Sequence, residues 1–68
     1  MTAREVRKMA SGLNATYREY MLTEEQLAKL DIPCGWIYAP ITEMADTWYV
    51  IDGQHNVKEL SAAQSLAL

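Results

Sequence analysis

The sequence predicts a small single α+β domain spanning residues 1–68, with elements in the order α-α-β-β-α and a short antiparallel hairpin covered by helices. Three observations lead there. Apolar residues recur at helical intervals near the amino terminus and again after Thr23, and two aromatic, β-branched runs occupy the middle. A capped apolar pattern then returns at the end.

The first helix is expected from Thr2 to about Tyr20. Thr2 and Glu5 have capping-box spacing, and Val6, Met9, Ala10, Leu13, Tyr17 and Tyr20 form one face at ~100° per residue. Gly12 and Asn14 weaken the interior, so a bend or an early end falls near them. A second helix is expected over Glu24–Leu30. Thr23 and Gln26 repeat the box, Leu22 and Leu27 stand at the staple positions, and Pro33 pushes Ile32 out of helical geometry.

Trp36–Ala39 and Thr47–Ile51 have strand composition. Pro40 closes the first, a loop lies around Glu43 to Asp46, and Asp52-Gly53 supplies the turn after the second. A final helix follows, capped either by Asn56 with Glu59 or by Ser61 with Gln64, and Val57, Leu60 and Ala63 share its face. Helices covering one face of the sheet complete the arrangement, with Leu13, Leu27, Val50 and Leu60 as core residues.

Half of the 68 residues are apolar, enough for a core and unlike a disordered chain. Cys34 is the only cysteine, so no intrachain disulfide forms. No apolar run approaches the ~20 residues of a membrane helix, and the first residues lack the apolar core of a secretory signal. A cytoplasmic protein is expected. Self-association would bury more apolar surface in so small a domain, which makes a homo-oligomer a further expectation.

Charge is uneven. Residues 1–20 carry four basic residues against two acidic ones, and residues 21–68 carry two against seven, which together give the net −3. On a helical wheel Arg4, Arg7, Lys8 and Arg18 fall opposite the apolar face. That stripe is either a partner-binding surface or an ordinary solvated face, and the acidic balance opposes nucleic-acid binding. Cys34 and His55 fall short of a zinc set, and they form a nucleophile and base only if the fold joins them. No metal, cofactor or catalytic set is expected.

Trp36, Tyr38, Trp48 and Tyr49 cluster in the hairpin. Side chains alternate across a strand, so either one face exposes aromatic surface of the kind that anchors interfaces, or helices cover both faces.

The segment Trp48-Tyr49-Val50-Ile51-Asp52-Gly53-Gln54-His55-Asn56-Val57-Lys58 resembles a motif of the ParB and sulfiredoxin-like superfamily, in which an apolar strand enters an acidic-Gly-x-His-Arg turn followed directly by a helix. Pro40-Ile41 is similar to the Pro-Ile that opens the preceding strand there. The resemblance covers about residues 40–63. Gly53 and His55 match the motif, Gln54 takes its variable position, and Asn56 stands where the family has arginine. It implies a nucleotide-phosphate site at Gly53, Gln54, His55 and Asn56, since free amides at a helix start favour anions.

Two functions are therefore expected in order. The first is a non-enzymatic protein-binding module, regulatory or inhibitory, meeting a protein partner through Trp36, Tyr38, Trp48, Tyr49, Arg4, Arg7 and Arg18; an acidic phage-type inhibitor fits these bounds. The alternative is a reduced ParB-like nucleotide- or nucleic-acid-binding domain.

Overall fold

A computed structural model describes residues 1–43 and 45–68. Its elements are α1 (Ala3–Ala10), β1 (Tyr17–Met21), α2 (Glu24–Leu30), β2 (Gly35–Pro40), β3 (Thr47–Asp52), β4 (Val57–Ser61) and α3 (Ala62–Leu66). The α+β class and the central hairpin stand, and two segments expected to be helical are strands. Met44, inside the expected loop, lies outside the described residues. No helix among the described residues is long and apolar enough to cross a membrane.

Thr2 caps α1 by accepting the Glu5 amide at 3.2 Å. The helix stops at Ala10 rather than near Tyr20: Ser11 is already extended at φ −114° and ψ 154°, and Gly12 at φ +94° then turns the chain away. Tyr17 and Tyr20 therefore belong to β1, and Leu13, expected in the core, is fully exposed in the connection. By contrast α2 occupies the expected residues. Its capping box is complete, with the Gln26 amide on Thr23 Oγ1 at 3.3 Å and the Thr23 amide on Gln26 Oε1 at 3.0 Å. It closes on Asp31 at φ 55°, with the Ile32 amide donating to the Leu27 carbonyl and the Asp31 amide to the Ala28 carbonyl, a Schellman ending.

The final helix begins five residues later than Asn56 would have placed it. Ser61 and Gln64 form its capping box, and Val57–Ser61 is strand β4. Val57 and Leu60 thus lie on opposite sides of a sheet instead of sharing a helix face.

The sheet order is β1-β2-β3-β4, antiparallel throughout, with Glu19 opposite Tyr38, Tyr38 opposite Tyr49 and Tyr49 opposite Glu59. Residues opposite one another share a face, which fixes what each layer touches. On one face Tyr17, Tyr38, Tyr49 and Ile51 pack against Ala3 and Val6 of α1. On the other, Ile37, Val50 and Leu60 pack with Leu22, against Leu27 and Leu30 of α2 and Leu68 after α3. Helices cover both faces, not one. Val50 and Leu60 are buried as expected, and Leu27 is half-buried.

Candidate protein-binding surface

The two-sided cover decides the fate of the hairpin aromatics. Tyr38 is fully buried and Tyr49 nearly so, beneath α1, where Tyr49 meets Tyr17 edge-on with ring centroids 5.4 Å apart. Trp36 is half-buried against this cluster, and Trp48 is half-buried in the cluster on the opposite face. Tyr38 and Tyr49 are therefore core residues, and the four aromatics form no exposed face. Their burial pushes the Tyr17 and Tyr38 phenols up; for Tyr38 the hydrogen bond to Glu19 adds to the rise, and Arg7 opposes it.

The basic residues separate as well. Arg4, Arg7 and Lys8 line an open depression beside α1 with Ala10, Ser11 and Glu19. Arg18, expected to extend this stripe along the helix, instead sits on β1, in a second groove with Tyr20, Ala39, Pro40 and Ile41 on the far face of the sheet. Glu19 accepts the Tyr38 hydroxyl and so ties the depression to the core. Arg7 Nη1 lies 3.0 Å from His55 Nδ1. A guanidinium only donates, so Nδ1 accepts and the ring carries its proton on Nε2.

That contact joins α1 to the Asp52–Asn56 turn. Here the chain makes a three-residue hairpin loop. The His55 amide donates to the Asp52 carbonyl at 3.1 Å, the Asp52 amide to the Asn56 carbonyl at 3.1 Å, and His55 takes φ 63° at the left-handed bulge position. Asp52 Oδ1 accepts the amides of Gln54 at 2.8 Å and Asn56 at 3.0 Å, and Oδ2 accepts Asn56 Nδ2 at 3.3 Å. These bonds, the Asn56 amide foremost, hold the Asp52 carboxyl below its ordinary range against a smaller opposing effect of burial.

Gly53, Gln54, His55 and Asn56 are all exposed. The turn runs into β4, not into a helix, so Asn56 caps no helix and the helix-start amides implied by the resemblance are not formed. Two amides of the turn already serve an internal carboxylate. Cys34 is exposed with its sulfur against Gly53, while His55 is engaged by Arg7. Among the described residues no three His, Cys, Asp or Glu side chains are grouped to hold a metal ion.

Sequence reasoning missed Ser11 and Glu19 in the depression, and Tyr20, Met21 and Ile41 as exposed apolar residues. The one signal for β1 was its pair of β-forming tyrosines, Tyr17 and Tyr20; the adjacent charges between them leave no period-two alternation. No protein-family model matches the chain, and no curated protein or solved structure matches it.

Proposed function

We propose that the chain is a small non-enzymatic protein-binding module, regulatory or inhibitory in action, that presents the α1 side of its sheet to an acidic surface of a partner protein. The observation that carries this reading is a local basic cluster. Arg4, Arg7 and Lys8 gather over the α1 depression, where Glu19 is the one acidic lining residue. A basic cluster of this kind orients an acidic partner during encounter and fixes register more than it adds affinity. The net charge of −3 favours a protein over a polyphosphate, because most of the surface repels a nucleic acid.

Crosslinking capture from cells, compared between the natural chain and the double reversal Arg4→Glu, Lys8→Glu, tests the reading. One protein should be enriched by the natural chain and lost with the reversal, while Glu24→Lys on the other face leaves it bound. Capture indifferent to the reversal, or recovery of nucleic acid alone, contradicts it.

A further inference from the structure

We propose that β1 is a self-association edge: two copies pair their β1 strands antiparallel, about a twofold axis perpendicular to the sheet. This edge adjoins the α1 depression at Glu19, and the inference stands independently of the function proposed above.

The backbone of β1 is directional. The Ile41 amide donates to the Thr16 carbonyl at 2.9 Å and the Leu22 amide to the Gly35 carbonyl at 3.4 Å. Antiparallel ladders alternate, so the Thr16 carbonyl, Arg18, Tyr20 and the Leu22 amide face β2, while the Thr16 amide donates to the Met9 carbonyl at 2.8 Å, and the N–H and C=O groups of Tyr17, Glu19 and Met21 point outward. β1 is the first strand of the sheet, and among the described residues β2 is its sole strand neighbour, so these groups line an edge of the sheet.

Only one twofold register uses all three outward positions. Glu19 meets Glu19 of the second copy at the axis, and Tyr17 meets Met21 on either side, giving about six backbone hydrogen bonds. The intervening pairs are then Arg18 with Tyr20 of the second copy, twice. These are non-hydrogen-bonded pairs, where side chains approach most closely, and both residues are exposed in the single chain. An arginine over a tyrosine ring is attractive, and the ring stands at the mouth of the groove formed by Arg18, Ala39, Pro40 and Ile41. Met21, 78% exposed, stands opposite Tyr17 of the second copy, which at 6% exposure has little surface left to offer.

The axis keeps both copies the same way up, so the two α1 helices lie on one face of a doubled sheet. The one repulsive pair, Glu19 with its copy, lies at the meeting point of the two basic depressions, each glutamate accepting a Tyr38 hydroxyl. The opposite edge does not offer the same set. In β4 the outward Ser61 amide is already bonded to Gln64 at 2.9 Å, and Leu60 is buried under the helices.

Sedimentation equilibrium of the full chain, up to about 1 mM, together with amide exchange of Tyr17, Glu19 and Met21, tests this. The expected result is a reversible monomer–dimer equilibrium in which those three amides slow as dimer accumulates. Tyr20→Lys, at an exposed side chain, sets a cation opposite each Arg18 and weakens association roughly tenfold or more. Met21→Pro removes an outward donor and does the same, and Glu19→Gln strengthens association by relieving the repulsion at the axis. A chain that stays monomeric throughout, a dimer indifferent to Tyr20→Lys, or open-ended polymers of the kind a β1-to-β4 contact makes would each overturn the proposal.

Discussion

Gly35 opens β2 and is buried against β3. A Cβ added there would stand 2.8 Å from the Ile51 carbonyl oxygen, 3.0 Å from Ile32 Cδ1 and 3.4 Å from Asp52 Cα. Ile32 can rotate away; the carbonyl cannot, because it belongs to the central strand pair of the sheet. Forcing a methyl into packed surroundings costs about 1–3 kcal/mol, and the lower freedom of the unfolded alanine chain returns about 0.4–1 kcal/mol. Gly35→Ala should thus destabilise by about 1.3 kcal/mol at mid-range and by at most about 2.6 kcal/mol, which at mid-range lowers the melting midpoint of a domain of this size by roughly 5–10 °C. Gly53→Ala is the internal control. The atom its Cβ would overlap is Cys34 Sγ, at the end of an exposed side chain. Its cost should stay below about 1 kcal/mol and vanish in a Cys34→Ala background, since the two positions share that contact. Calorimetry on the natural chain, Gly35→Ala, Gly53→Ala, Cys34→Ala and the double variant measures both effects. A Gly35→Ala melt at the natural temperature, or a Gly53→Ala loss that persists without the Cys34 sulfur, refutes the close approach of β2 to β3 and of Cys34 to the turn.

Leu60→Ala removes a side chain that is 5% exposed and should cost about 2–5 kcal/mol, whereas Leu13→Ala should stay within about 0.5 kcal/mol; equal urea midpoints for the two would contradict the strand assignment of β4. Because the folded value of Asp52 lies below the unfolded one, its stabilisation is complete above about pH 3.9 and disappears as pH falls through the folded value. Asp52→Ala should therefore flatten the acid limb of a stability–pH curve, and an unchanged limb would separate the carboxylate from the turn. In an NMR titration with CTP or ATP, the amides of Gly53 to Val57 should not shift, since those of Gln54 and Asn56 already bond to Asp52. Saturable shifts centred on these residues would restore the nucleotide reading.

What could be read in advance was whatever local chemistry decides alone. The Thr23–Gln26 box, the Leu22 staple and the Ile32-Pro33 stop act within one turn of helix, and α2 lies where they place it. The Trp36–Ala39 and Thr47–Ile51 runs are strong strand formers on both sides, and they pair. The misplaced elements are those where a helical interval and a strand share residues. Val6, Met9, Ala10 and Leu13 continue in register to Tyr17 and Tyr20, yet the chain leaves helical geometry at Ser11 and Gly12 first, and in β1 one tyrosine is buried while the other is 51% exposed. Val57 and Leu60 likewise sit three apart, and pairing with Ile51 and Trp48 across β3 overrides that interval. Asn56 was a plausible cap until Asp52, four residues earlier, bonded both its backbone and side-chain amides. The candidate surface was the least legible part, because burial of Tyr38 and Tyr49 and transfer of Arg18 to the far face both follow from β1, the strand hidden in the first helical pattern.

Strand order along the sheet equals strand order along the chain. Each pairing therefore closes only a short loop: a hairpin between β2 and β3, another between β3 and β4, and α2 with its flanks between β1 and β2. Ladders made of sequence neighbours have a low closure entropy and collapse quickly. The β2–β3 hairpin, which bears Tyr38, Tyr49, Val50 and Ile51, is the natural nucleus, since both layers of the core need it before any helix has a surface to cover. Mutations in it should slow refolding, while those in α1 and α3, which dock afterwards, should mainly hasten unfolding. A chain growing from its amino terminus holds α1 and β1 without a sheet to pack on until the β2–β3 hairpin is complete at residue 52.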